Sequence, residues 1–402
     1  MPLSPIQPPD DAPAAPPRTL RLPFDPLLTL AVLGLALCSI VTLKASTRTL
    51  IPGDPHYYVD RQAIYLIVGV LAMLGLSRLD YAVLRRYKNG IYVALLVSIF
   101  AVLGLGHAAR GSQRAIAFPL FSFQASELGK VLLILALSAF VVERSRHLRE
   151  RDTTVRVMIA ALVPTMFVIA QPDLGSGMVY MVIAYMLLFV AGASWRHLVA
   201  LAVLVAASAA FVLVAAPAAG VHVLKPYQVE RLTAFLHPSE HLHNAKGELE
   251  PSYQQQESKI AIGAGEKTGR GENASQIPNG FVPESYTDFI FAAVGERYGF
   301  VGAGLVLLLY GLLISRALRV LVMAKDLFGS LIAAGVAAML MFQVFVNVGM
   351  TIGIMPITGV TLPLMSYGGS SVITTLLAVG LLQSIYVQAR ASQALKGRVT
   401  RF

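Results

Sequence analysis

Ten apolar runs, each close to the length of a membrane-crossing helix, constrain this chain more than any other feature. They fall at roughly 26–43, 63–77, 90–106, 124–142, 157–171, 175–192, 197–219, 289–315, 329–353 and 370–388. A hydrocarbon layer about 30 Å thick takes about 20 mainly apolar residues per helical span. Inside it no water can satisfy backbone groups, so each span must bond its own backbone as a helix. The expected fold is an all-α polytopic membrane protein of about ten transmembrane helices, with residues 26–390 as a single transmembrane domain. Composition agrees, since 56% of the 402 residues are hydrophobic and 13% charged, against about 25% charged in soluble domains.

The net charge of +10 is therefore read loop by loop as topology, not as a nucleic-acid signal. With the N-terminus inside, the inner loops hold Arg78, Arg85, Arg86 and Lys88, then Arg144, Arg146, Arg149, Arg151 and Arg156, then Arg316, Arg319 and Lys325. The opposite short loops hold Lys44, Arg48, Arg61, Arg110 and Arg114. The bias predicts cytoplasmic termini. The proline-rich stretch 1–25 lacks a basic, then apolar, leader pattern and reads as a disordered tail, while 391–402 reads as a basic cytoplasmic tail. Residues 220–288, approximately, form one large extracytoplasmic loop. Its glycines, Gly263 to Gly271, do not spell a phosphate loop and read as flexible. The single cysteine, Cys38, rules out a disulfide within the chain.

Polar residues interrupt the apolar runs at three places. Glu127 and Lys130, three apart, share a helical face; charges at that depth must face protein, water or each other. A structural ion pair accounts for them as well as a functional role does. Asp173, in Gln171-Pro172-Asp173-Leu174-Gly175, sits at a proline-forced break and is placed to cap the next span. Gly359 to Ser371 is too broken by proline and glycine to be plain helix, so it must pack inside protein or line a cavity. Asp288, where the large loop re-enters the membrane, could serve simply as a helix N-cap.

Taken together, these pieces resemble the SEDS family (shape, elongation, division and sporulation). The matching segments are Gly111-Ser-Gln-Arg114, Phe123-Gln-Ala-Ser-Glu127 with Lys130, Gln171-Pro-Asp-Leu-Gly175, Tyr227-Gln228 with Arg231, Ser258-Lys-Ile-Ala-Ile-Gly263, Thr287-Asp-Phe-Ile-Phe291 and Leu362-Pro-Leu-Met-Ser-Tyr-Gly-Gly-Ser370. They follow the family order over nearly the whole chain. Three positions depart from the family pattern: Ala115 for tryptophan, Ala125 for proline and Tyr286 for histidine. Met355 to Pro363 looks more like the elongation branch, RodA, than the division branch, FtsW.

The resemblance implies a glycosyltransferase of the bacterial inner membrane that polymerises lipid II, an undecaprenyl-pyrophosphate-linked disaccharide peptide, into peptidoglycan strands. A class B penicillin-binding protein is the implied partner. Such a reaction needs a general base for the attacking sugar hydroxyl and cationic groups for the departing pyrophosphate. Asp288 is the expected base. Arg48, Arg110, Arg114, Arg231 and Lys259 are candidate pyrophosphate contacts. Glu127, Lys130, Asp173, Gln228, Ser366, Tyr367, Gly368 and Gly369 would shape the substrate cavity. The chemistry admits a divalent cation on the pyrophosphate, although no ligand cluster is evident. A lipid II flippase is the competing reading, and a scaffold for the wall machinery a third; neither needs a carboxylate at position 288.

Overall fold

The computed structural model describes residues 24–48, 50–51, 53–105, 115–117, 122–212, 229, 231 and 251–399. Seven helices precede the large loop: α1 (Pro26–Ser46), α2 (Tyr57–Arg78), α3 (Lys88–Leu105), α4 (Ala125–Glu143), α5 (Arg151–Ala170), α6 (Leu174–Val190) and α7 (Trp195–Ala210). Then come α8 (Pro251–Ala264), α9 (Ile290–Met323), α10 (Leu327–Thr351) and α11 (Gly369–Val399). Eight of these are long and apolar enough to cross a membrane, and α6 and α7 are shorter apolar helices. Each of the ten expected spans thus coincides with a helix, the seventh described only as far as residue 212, and among the described residues α8 is an eleventh, inside the loop. A two-residue hairpin, β1 (Ile116–Ala117) with β2 (Ser122–Phe123), pairs Ile116 with Phe123 and precedes α4.

Helix starts follow local chemistry. Asp25 caps α1, accepting from the N–H groups of Leu27 and Leu28, with Pro26 at the first helical position. Its second oxygen pairs with Arg316 of α9 at 2.5 Å, and Gln383 of α11 binds its backbone. Asp25 is fully buried. The expected tail therefore stops before Asp25; residues 1–23 lie outside the described residues. Because Asp25, Arg316 and Gln383 meet at one end, the start of α1 and the later halves of α9 and α11 share a side of the bundle, called here the terminal side.

Helices α4, α10 and α11 form the centre, each with 78% of its apolar window buried, whereas α2 and α3 show most of theirs to the surroundings. Glycines set the closest approaches: a Cβ on Gly335 of α10 would strike Ile134 of α4.

The glycine-rich stretch is not a flexible loop. A Cβ on Gly265 would lie 1.9 Å from the carbonyl oxygen of Gly295, and Gly269 (φ +85°) packs as tightly on Arg297. Only glycine lets two backbones approach so closely. The contact explains a second feature, the break of α9 at Gly299 (φ +63°). The N–H groups of Phe300 and Val301, which start the longer half of α9, donate to the carbonyls of Glu266 and Lys267 at 2.9 and 3.1 Å. Buried Glu296 accepts from the N–H groups of Ser275, Gln276 and Ile277. The loop from 251 to 288 is thus a folded cap bonded to α9. It is also bonded to α10, since Gln255 and Ser258 donate to carbonyls at the end of that helix. The eighth span accordingly reaches Met323, beyond the expected limit at 315.

Candidate active site

The backbone around Asp288 is held by three successive hydrogen bonds. The Tyr286 carbonyl accepts from the Tyr367 N–H at 2.9 Å. The Thr287 carbonyl accepts from Ser366 Oγ at 2.7 Å, and the Asp288 carbonyl from Asn347 Nδ2 at 2.8 Å. Asn347 also donates to the Val360 carbonyl at 2.7 Å, and Ser366 Oγ accepts from the Leu362 N–H at 2.8 Å. One fully buried amide on α10 thereby ties the loop to the broken segment before α11. That segment, 352–368, is non-helical and largely buried, as expected of broken backbone at membrane depth. It is held from behind as well: Ser39 donates to the Met365 carbonyl, and Gln62 Nε2 donates to Ser39 and to the Ser366 carbonyl.

Asp288 does not cap α9. The cap residue is Phe289, with no side-chain cap bond. The carboxylate instead turns toward Gly359. A Cβ built on Gly359 (φ +73°) would lie 3.4 Å from Asp288 Oδ2 and 3.3 Å from Arg231 Nη1. Carboxylate and guanidinium therefore sit beside the same α-carbon, and the Arg231 carbonyl accepts from the Ile357 N–H at 3.1 Å. Any side chain at position 359 would press on both groups.

A second polar group lies on the other side of residues 358–360. Asp173 caps α6 through the Ser176 N–H at 3.0 Å, and its other oxygen accepts from Ser126 Oγ at 2.7 Å and Gln124 Nε2 at 3.1 Å. The Gln124 N–H donates to Ser370 Oγ, at the start of α11. One turn below, Lys130 and Glu127 form a buried ion pair at 2.6 Å. Gly175, the second residue of α6, packs so closely that a Cβ would lie 2.8 Å from the Thr358 carbonyl oxygen. The Asp173 group and the Asp288–Arg231 group thus flank one strip of backbone.

Of the expected site residues, the structure brings together Asp288, Arg231, Ser366 and Tyr367, with Gly368 and Gly369 following in the same segment. Gly368 donates to Gln62, and Gly369 packs against the ring of Tyr65. Glu127, Lys130 and Asp173 form the adjoining group. Lys259 lies alongside Gly353, at the end of α10. Arg48 is exposed in the turn after α1, with no ion pair among the described residues. Arg110, Arg114 and Gln228 lie outside the described residues. Among the described residues no three His, Cys, Asp or Glu side chains group as a metal site.

Sequence reasoning missed Asn347, Gln62 and Ser39, which place the site without joining it. The signal was available: each is a polar residue in or beside an apolar run, but attention to charges passed over neutral side chains. It also missed a tyrosine cluster. Tyr58 of α2 sits 4.8 Å from Tyr286 and 4.9 Å from Tyr367, centroid to centroid. Tyr286, one of the departures from the family pattern, is thereby an aromatic packing residue.

A family profile described as a cell cycle protein and covering FtsW, RodA and SpoVE matches residues 24–391. The probable peptidoglycan glycosyltransferase FtsW of Thioalkalivibrio sulfidiphilus is 35% identical over 382 residues, 93% of this chain and 92% of that protein. Stage V sporulation protein E of Bacillus subtilis is 33% identical over 362 residues, 89% of this chain and 95% of that protein. Among solved structures, a chain described under the structural coordination of polymerization and crosslinking by a peptidoglycan synthase complex superposes with a TM-score of 0.75. It is 30% identical, covering 92% of this chain and 99% of that one.

Proposed function

This chain belongs to the FtsW, RodA and SpoVE family, and from that premise we propose that it is a peptidoglycan glycosyltransferase polymerising lipid II at the outer face of the bacterial inner membrane. The observation that carries the reading is the Asp288–Arg231 arrangement beside Gly359, held by three backbone hydrogen bonds. Asp288 takes the proton from the attacking sugar hydroxyl as its oxygen bonds to the anomeric carbon of the second substrate. The bond from that carbon to the pyrophosphate breaks, and its electron pair leaves with the phosphate. Arg231, whose guanidinium matches phosphate oxygens, stabilises the developing charge. Reaction on the face opposite the leaving group inverts the anomeric centre, and a pyrophosphate departs without a paired acid.

Orientation follows from charge. Arg78, Arg85, Arg86 and Arg144 gather on the terminal side, so the termini are assigned to the cytoplasm and Asp288 to the outer surface. A class B penicillin-binding protein is the proposed partner, in keeping with the synthase complex that supplies the similar fold. We place the chain in the elongation branch because of Met355 to Pro363. The 35% identity to an FtsW favours a division role as the second reading. Depletion separates them: rounded cells indicate elongation and filaments indicate division.

The class of activity is tested by giving purified protein lipid II together with a partner that lacks polymerase activity. Glycan polymer is the expected product. Translocation of lipid II in vesicles without any polymer would establish the flippase reading instead.

A further inference from the structure

On the terminal side of the bundle, far from the Asp288 group, an open pocket of about 620 Å³ lies between the end of α4, the start of α10 and a short 3₁₀ helix, Tyr81–Tyr87, that joins α2 to α3. Its lining is charged in both signs. Arg85 and Arg86 contribute from the 3₁₀ helix, Glu143 from the end of α4 and Asp326 from the cap of α10. Buried Tyr81 fixes this arrangement: its hydroxyl donates to Asp326 Oδ1 at 3.2 Å, and its ring packs against Phe328 at 6.2 Å between centroids.

One oxygen of each carboxylate is engaged in the fold. Glu143 Oε2 pairs with Lys88, and Asp326 Oδ1 also accepts from the Gly329 N–H at 2.7 Å. Among the described residues, Glu143 Oε1 and Asp326 Oδ2 have no partner, and neither Arg85 nor Arg86 makes an ion pair. The N–H groups of Leu327 and Phe328, in the first turn of α10, are without a partner there too. The neighbouring charges are directed to other contacts: Lys325 donates to Gln388, Asp80 caps the 3₁₀ helix through the Ala82 N–H, and the Arg144 guanidinium lies over the Phe140 ring.

The pocket therefore offers arginine forks and helix N–H groups, which suit a phosphate, beside carboxylate oxygens, which suit a cation. A simple anion would lie against two carboxylates and a simple cation against two arginines, whereas a zwitterion with both charges close together meets a partner for each. The surroundings point to a lipid. Leu79, Val83 and Tyr87, in and beside the 3₁₀ helix, are 60%, 47% and 63% exposed, an apolar and aromatic margin of the kind that sits at the headgroup level of a bilayer.

We propose that this pocket binds the headgroup of phosphatidylethanolamine from the leaflet on the terminal side, with the phosphate at Arg85, Arg86 and the start of α10 and the ammonium at Glu143 and Asp326. The proposal goes beyond the polymerase reading and does not depend on it. A bound headgroup ties together the ends of α4 and α10, the two central helices that carry the Glu127–Lys130 pair and Asn347.

Delipidated full-length protein in detergent is titrated, by native mass spectrometry, with phosphatidylethanolamine, phosphatidylcholine and phosphatidylglycerol of identical acyl chains. Phosphatidylethanolamine should bind about tenfold tighter than phosphatidylcholine, whose quaternary nitrogen has no N–H for the carboxylates, the loss expected for a charge-assisted hydrogen bond. It should also outbind phosphatidylglycerol, which brings the phosphate without a cation. Binding within twofold for all three lipids, or phosphatidylglycerol as tight as phosphatidylethanolamine, overturns the proposal; the latter would mark an ordinary basic surface. Two variants locate the site. Glu143→Gln should weaken phosphatidylethanolamine and strengthen phosphatidylglycerol, because one repulsive carboxylate is gone. Arg85→Gln combined with Arg86→Gln should bring the three lipids within twofold of one another. These side chains are exposed, so melting without lipid should match wild type. A phosphatidylethanolamine preference that survives in both variants would put the lipid elsewhere and overturn the assignment.

Discussion

At the scale of single residues, the site depends on a position with no side chain. Gly359 has φ +73°, and the space where a Cβ would project is bordered by the Arg231 guanidinium and the Asp288 carboxylate. Gly359→Ala should cost about 1–2 kcal/mol in backbone strain and, by displacing both groups by a fraction of an ångström, reduce turnover by roughly 10²-fold. The pairing of modest thermal destabilisation with large activity loss is the signature to measure; loss of the two in proportion would make Gly359 merely structural. Sequence reading reached Asp288 and Arg231 through motif resemblance, but took Gly359 only as the start of a broken segment and gave it no place beside them. The conformation that makes a glycine necessary depends on what lies across from it, here residues more than 70 and 120 positions earlier, and a local pattern holds no record of that. The same limit misassigned Asp288 as a possible N-cap, because capping depends on where the first turn begins and it begins one residue later.

At the scale of elements, buried charge in α4 and broken helix in α9 make different demands. Lys130 and Glu127 are both nearly inaccessible and 2.6 Å apart. Either Glu127→Gln or Lys130→Met should leave one uncompensated buried charge and destabilise the protein by about 3–5 kcal/mol, whereas the double variant should recover much of that loss. Thermal unfolding of the three variants in one detergent decides it; additive losses would mean the two charges are not coupled. Should Glu127→Gln lose activity at wild-type stability, the residue has a direct substrate role instead. The pair was legible because three-residue spacing fixes a shared helical face. The α9 break was not legible: Gly299 is one of five glycines in the run 289–315, with Gly295, Gly302, Gly304 and Gly311, and nothing local marks it as the one where the helix breaks. Gly299→Ala should push a methyl into the backbone at Gly269, 2.3 Å from its nitrogen. Faster amide exchange across 265–271 is the expected result. Unchanged exchange there would mean the cap does not depend on the break.

At the scale of the whole molecule, hydropathy made the span count legible because lipid imposes one length on every helix, and charge bias gave an orientation. What it could not give was the folded cap, since residues 251–288 are neither apolar nor periodic and their order comes from backbone bonds to α9 and α10. Orientation is checked with cysteines at the exposed positions Asn273 and Ser145 in the Cys38→Ser background. A membrane-impermeant thiol reagent on intact spheroplasts should label Asn273→Cys and spare Ser145→Cys. The reverse pattern would put Asp288 on the cytoplasmic face and exclude polymerisation at the outer surface. The central claim, that Asp288 is the base, is tested most directly by the turnover of Asp288→Asn on purified lipid II, with a polymerase-inactive partner present and melting behaviour matched. Asn347 grips the main-chain carbonyl of residue 288, which asparagine keeps, so the fold should survive the change. A general base at this position predicts a loss of roughly 10² to 10⁴-fold; turnover within a few-fold of wild type would remove Asp288 from the chemistry.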